Sequence, residues 1–177
     1  GADQTTGDAA LVTGFLHIDA ARLGAGQGVS LTGSAAANSI TGGAGADTID
    51  GNGGADTIDA GAGDDAVIYR GAESAISGGA GSDILTLLNG STLTTVDLSV
   101  AAGVDQTVGD AVSATNFENF DASTMATDVT VTGSGAANIL LTGAGNDILH
   151  GGGGADVIRA GAGDDSVDYW ASETTIE

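Results

Sequence analysis

A nine-residue period constrains this chain more than any other feature in it. Six units run without a break: GSAAANSIT (33–41), GGAGADTID (42–50), GNGGADTID (51–59), AGAGDDAVI (60–68), YRGAESAIS (69–77) and GGAGSDILT (78–86). Five more follow: GSGAANILL (133–141), TGAGNDILH (142–150), GGGGADVIR (151–159), AGAGDDSVD (160–168) and YWASETTIE (169–177). In the first block, position six reads Asn38, Asp47, Asp56, Asp65, Ser74, Asp83, and position eight reads Ile40, Ile49, Ile58, Val67, Ile76, Leu85. A fixed short period means stacked copies of one small unit.

The unit has a direct physical reading. Glycine at positions one, two and four permits positive φ, so six residues can fold into a tight loop. The last three residues alternate about a branched or aliphatic centre, which is a short strand with one side chain facing inward. Two units make one coil. Coils stack as parallel strands roughly 4.8 Å apart, and the position-eight residues form a thin core. Position six then makes a ladder along each edge, with Asp47 over Asp65 and Asp65 over Asp83.

Such a ladder needs a cation. Carboxylates about 5 Å apart repel, and desolvation adds to the cost. Calcium reverses the sign, because it takes about 6–8 oxygen ligands, carboxylates and backbone carbonyls included, in flexible geometry. The chain has no cysteine, and the loops hold no histidine, which argues against zinc and copper.

The units resemble the GGxGxDxUx nonapeptides of the RTX (repeats-in-toxin) family, as in large secreted bacterial adhesins and S-layer-like surface proteins. The eleven units cover 99 of the 177 residues. The resemblance implies an all-β fold, a calcium-binding parallel β-roll or β-solenoid, here two blocks joined by longer β-coils. It places the calcium-binding aspartates at Asp47, Asp56, Asp65, Asp83, Asp147, Asp156 and Asp165. Asn38 and Asn138 stand at weaker end sites. It also implies carbonyl ligands from the loop glycines, assigned to Gly43, Gly45, Gly51, Gly53, Gly61, Gly63, Gly79, Gly81, Gly143, Gly145, Gly151, Gly153, Gly161 and Gly163. Ser74 and Thr174 depart from the motif, so their loops are expected to bind calcium poorly. The expected cofactor is Ca²⁺, about five ions or more.

Charge supports a conditional fold. There are 24 acidic residues against three arginines, Arg22, Arg70 and Arg159, for a formal charge of −21. Nucleic acid is excluded as a partner, because phosphate contacts need Lys and Arg. An anionic membrane surface is disfavoured, and no stretch approaches the ~20 apolar residues of a span. About five calcium ions would offset about ten charges. Without them the composition is that of a disordered segment; with them, binding free energy becomes folding free energy. Extracellular calcium sites are tuned to about 10⁻⁴–10⁻³ M, so the expected location is outside the cell, at a bacterial surface. Residues 1–30 show no signal-peptide pattern. The resemblance implies type I export.

A longer period overlies the short one. GADQTTGD (1–8) matches GVDQTVGD (103–110), and 29–77 aligns with 129–177 at an offset of 100. Residues 1–102 read as a first copy of a ~100-residue repeat, with its nonapeptide block at 33–86 and a spacer at 87–102. Residues 103–177 read as a partial second copy, with its block at 133–177. Both a segment of a longer array and a subunit whose ends stack on neighbours fit this. Within 87–132, the stretches 91–100, 111–121 and 128–132 read as strands of longer coils. Ala9–Ala21 and Val112–Ser123 are expected to be non-helical.

Catalysis finds no support. No HExxH, GxSxG or Cys–His arrangement occurs. His150 is expected to face outward alone. Asp64–Asp65 and Asp164–Asp165 place one carboxylate toward metal and one toward water, which is not a glycosidase dyad. Tyr69, Tyr169 and Trp170 read as capping residues rather than a sugar platform. The expected function is a non-enzymatic, calcium-dependent structural module of a secreted surface protein: adhesin, S-layer or extracellular filament. The alternative is the C-terminal folding and secretion domain of an exported protease or lipase. The expected partners are a head-to-tail copy or neighbouring repeats of the same protein. Ice binding is disfavoured, because the outward loop positions are alanine, glycine and aspartate rather than threonine.

Overall fold

A computed structural model describes residues 15–168 and 175–176. The described residues form seventeen strands and no helix. The first eight are β1 (His17–Asp19), β2 (Ser30–Thr32), β3 (Ser39–Thr41), β4 (Thr48–Asp50), β5 (Thr57–Asp59), β6 (Ala66–Tyr69), β7 (Ala75–Ser77) and β8 (Ile84–Leu87). The spacer contributes β9 (Thr95–Asp97), β10 (Ser113–Thr115), β11 (Asn119–Asp121) and β12 (Thr130–Thr132). The second block adds β13 (Ile139–Leu141), β14 (Ile148–His150), β15 (Val157–Arg159), β16 (Ser166–Asp168) and β17 (Thr175–Ile176).

The strands stack in parallel into a β-solenoid, as the nine-residue period requires. One face is an unbroken eight-stranded sheet, β2-β4-β6-β8-β11-β13-β15-β17. The opposite face consists of a five-stranded sheet, β1-β3-β5-β7-β10, and a four-stranded sheet, β9-β12-β14-β16. The inward column of the first face is in register as Leu31, Ile49, Val67, Leu85, Phe120, Leu140 and Ile158. These side chains are at most 5% exposed. A three-residue strand has room for one inward side chain, so each coil adds one such residue per face.

The spacer is built of longer coils, as expected, but with an unforeseen reversal. The strand anticipated over 91–100 shortens to β9. Asp97 Oδ1 accepts the Ser99 backbone N–H at 2.9 Å and turns the chain there. The chain then runs backwards between β9 and β10. Val96 pairs antiparallel with Thr107. Asp97 N–H donates to the Gln106 carbonyl at 2.8 Å, and Gln106 N–H to the Ala114 carbonyl at 2.7 Å. This reversed piece joins the two sheets of the second face. The buried Gln106 side chain accepts from Phe117 N–H and donates to the Phe117 carbonyl, both at 2.8 Å.

That reversal puts two consecutive strands, β9 and β10, on the same face. The alternation of faces therefore slips by one. β4 lies on the first face, whereas β14, one hundred residues later, lies on the second. Corresponding residues of the two blocks occupy opposite edges of the solenoid.

Of the stretch Ala9–Ala21, the part within the described residues is strand at β1 and otherwise turn, and Val112–Ser123 carries β10 and β11. Tyr69 is 1% exposed and its hydroxyl bonds to the Asp110 carboxylate, so it is a core residue rather than a sugar platform. Tyr169, Trp170 and Thr174 lie outside the described residues.

Candidate metal centre

Among the described residues, the position-six aspartates fold inward over their own loops, and five of them accept from the position-six backbone N–H of the preceding coil. Asn38 N–H donates to Asp56 Oδ1 at 2.8 Å, Asp47 N–H to Asp65 Oδ1 at 2.7 Å, and Asp65 N–H to Asp83 Oδ1 at 2.8 Å. In the second block, Asn138 N–H donates to Asp156 Oδ1 and Asp147 N–H to Asp165 Oδ1, each at 2.9 Å. Every partner lies 18 residues on, which is one full coil. The ladders of both blocks are therefore present on both edges.

One oxygen of each carboxylate is thus used by the fold. The second oxygen, Oδ2, is buried without a hydrogen-bond partner at Asp56, Asp65, Asp83 and Asp147. A buried, unsatisfied carboxylate oxygen is costly, and its recurrence at one register position points to a common ligand. Burial is the main cause that raises the carboxyls of Asp56 and Asp65 above their ordinary range, with neighbouring acidic charges adding to it. At Asp83, burial, with the charges of Asp65 and Glu118, pushes the value up to about 6. Among the described residues no three carboxylates or histidines converge on one point. A cation between two coils would therefore draw on one or two carboxylates and complete its shell from carbonyls.

The glycines supply that backbone. Position one is not where positive φ occurs; its glycine makes space. A Cβ on Gly51 would lie 2.3 Å from Asp56 Oδ2. One on Gly42 would lie 2.6 Å from Asp47 Oδ2 and 2.0 Å from the Ala60 carbonyl oxygen. Positive φ falls at positions two and four in the later loops of each block: Gly61 and Gly63, Gly79 and Gly81, Gly161 and Gly163. Gly43, Gly45, Gly143 and Gly145 do not adopt it. Their carbonyls point at the next coil, as those of Gly61 and Gly63 do. The Gly43 oxygen would lie 2.3 Å from a Cβ on Gly61, and the Gly143 oxygen 1.9 Å from one on Gly161.

Two units differ in detail from the others. In 51–59 and 151–159 the residues that match Gly61 and Gly63 are Asn52 with Gly54, and Gly152 with Gly154. Gly53, also at positive φ, has open space beside it; a Cβ on Gly153 would meet only Gly135, at 3.8 Å; Gly51 and Gly151 are position-one residues.

The departing loop 69–74 has its own device. Glu73, 4% exposed, accepts the N–H groups of Arg70 at 2.9 Å and Ala72 at 3.0 Å. Arg70 also grips Asp50 through two nitrogens, at 2.7 and 2.6 Å. The motif aspartate is thus replaced by a self-closed turn, with Ser74 exposed. His150 is half-buried at the outer end of its strand and not alone: its Nδ1 lies 2.8 Å from Asp168 Oδ2.

Sequence reasoning missed Glu118. It stands in the spacer, and its Oε2 accepts the Asp83 N–H at 2.9 Å. The available signal was its isolation: it is the one glutamate between the two blocks.

Hard oxygen donors in a periodic, charge-crowded array suit calcium. Residues 32–67, 75–91 and 132–167, about half of the chain, match the RTX calcium-binding nonapeptide repeat, and the chain belongs to that family. The match skips 68–74, the self-closed turn around Glu73. No curated protein and no solved structure matches the chain. The family defines a calcium-binding structural repeat module, non-catalytic and of the kind found in secreted bacterial proteins. Bound calcium would neutralise the ladder and bridge successive coils through Asp Oδ2 and loop carbonyls.

Proposed function

We propose that this chain is a calcium-gated stiffening segment of a bacterial surface protein: an adhesin stalk, S-layer or extracellular filament. The observation that carries it is the eight-stranded sheet, which passes through both blocks and the spacer without interruption. Two separate blocks on a flexible linker would make a secretion aid or a folding cap. One continuous sheet makes a rod. The formal charge of −21 keeps the chain extended where calcium is scarce, and calcium outside the cell drives coil stacking. Neighbouring repeats, or a second copy stacked head to tail, are the inferred partners, because an exposed solenoid end in general carries unpaired strand edges.

Small-angle scattering of one copy and of two in tandem tests the rod. In calcium the maximum dimension should grow in proportion to copy number, at roughly 4.8 Å per added strand of one face. In chelator both chains should scatter as expanded coils. A tandem chain whose copies tumble independently in calcium would contradict the rod.

A further inference from the structure

The carboxylate ladder does not stop where the nonapeptides stop. Asp47 N–H reaches Asp65 Oδ1, and Asp65 N–H reaches Asp83 Oδ1. The next donor in that column, Asp83 N–H, finds Glu118 Oε2 at 2.9 Å. The strand pairing continues through the same place. Asn119 N–H donates to the Asp83 carbonyl at 2.9 Å, as Ile84 N–H does to the Asp65 carbonyl at 2.8 Å. Glu118 thus occupies position six of a coil that has no nonapeptide.

The carbonyl side of the site is reproduced as well. A Cβ on the position-one residues Gly33, Gly42 and Gly133 would strike the carbonyl oxygens of Gly51, Ala60 and Gly151, at 2.4, 2.0 and 2.3 Å. At Gly78 the oxygen in that place belongs to Asn116, at 2.3 Å, with Asp83 Oδ2 at 2.8 Å from the same point. Asn116 sits at φ 58, a turn conformation that asparagine tolerates better than most residues. Its side chain is anchored on both sides, accepting Gly103 N–H at 2.7 Å and donating to Ser77 Oγ at 3.1 Å. Three residues, 116–118, therefore stand where a nonapeptide uses six. The extra methylene of glutamate over aspartate supplies the missing reach.

We propose that Asp83 and the Asn116–Glu118 corner form a divalent-cation site outside the repeat motif, with Glu118 as its second carboxylate and the Asn116 carbonyl as a further donor. The proposal rests on the reading of the position-six aspartates as calcium ligands. Its independent support is Asp83 Oδ2, fully buried, unpartnered and beside that carbonyl. Carboxylate and carbonyl oxygens favour calcium over magnesium, which holds its water and demands a tighter octahedron. The site fastens the first block to the spacer. The Glu118 carbonyl also accepts from Asn138 Nδ2, so the same corner touches the first ladder residue of the second block.

Equilibrium dialysis of the full chain against radioactive calcium, with E118Q and E118D, tests the site. E118Q keeps an acceptor for the Asp83 N–H and removes the charge. It should bind one calcium fewer than the unaltered chain, with the remaining sites unchanged. E118D keeps the charge and shortens the reach, and should weaken one site about tenfold while the total number is retained. Unaltered stoichiometry and affinity in E118Q would overturn the proposal. Should E118Q not fold even in saturating calcium, E118D decides: one weakened site supports the proposal, and an unchanged isotherm overturns it. No uptake by the unaltered chain would instead sink the reading of the position-six aspartates, and this site with it.

Discussion

At the scale of single residues, the position-one glycines and the position-six aspartates act as pairs. Gly51 leaves the space that the Asp56 carboxylate fills, so Gly51→Ala forces a 2.3 Å approach. It should cost about 1–3 kcal/mol, the usual range for overpacking, and raise the calcium midpoint. Gly135 has neither a close neighbour nor positive φ. Gly135→Ala should be silent within about 0.5 kcal/mol, and thermal melting in calcium compares the two. The aspartates also give the metal-free fold a pH dependence. Asp83 is pushed up to about 6 from an ordinary value of 3.8, chiefly by burial, and Asp56 and Asp65 move in the same direction. A raised carboxyl means that the folded state holds more protons than the unfolded one within that window. The stabilisation is full below the ordinary value and is lost as pH rises through about 6. In calcium-free buffer the chain should therefore be more structured near pH 4.5 than near pH 8. Equal circular dichroism at the two pH values would contradict this. Position six was legible in the sequence because its period is strict. The role of position one was not, because positive φ and the need for space both select glycine, and only coordinates separate them.

At the scale of elements, the nonapeptide strands were readable and the spacer was only partly so. Short x-U-x strands follow from alternation alone, and Ile49, Val67 and Leu85 stack as the period demands. The reversed piece at 105–107 carries no periodic signal. It is held by polar groups: Gln106 on Phe117, and Asp105 Oδ1 accepting the N–H groups of Thr107 and Ala114, each at 3.1 Å. Alternation of apolar residues cannot reveal a strand whose direction is set by buried hydrogen bonds. Gln106→Ala would leave the buried N–H and carbonyl of Phe117 without partners. A loss of about 1–3 kcal/mol per group is the expectation, seen as a lower melting temperature in saturating calcium. An unchanged melt would mean that the reversed piece does not hold the junction.

At the scale of the molecule, the slip of faces at the spacer has a consequence for arrays. The extra strand lies on one face in the first copy, and the same spacer in the next copy would add it to the other face. On the proposed function, tandem copies would present each motif alternately on opposite edges of the rod. The ~100-residue duplication was visible in the sequence. Its half-turn was not, because it depends on β9 and β10 sharing a face. The rod depends on the chain folding by binding calcium. A calcium titration followed by far-UV circular dichroism, with magnesium as control, tests that most directly. A cooperative coil-to-β transition is expected at high-micromolar to millimolar calcium, and magnesium should not reproduce it. A spectrum already rich in β structure in chelator at neutral pH, and unmoved by calcium, would contradict it.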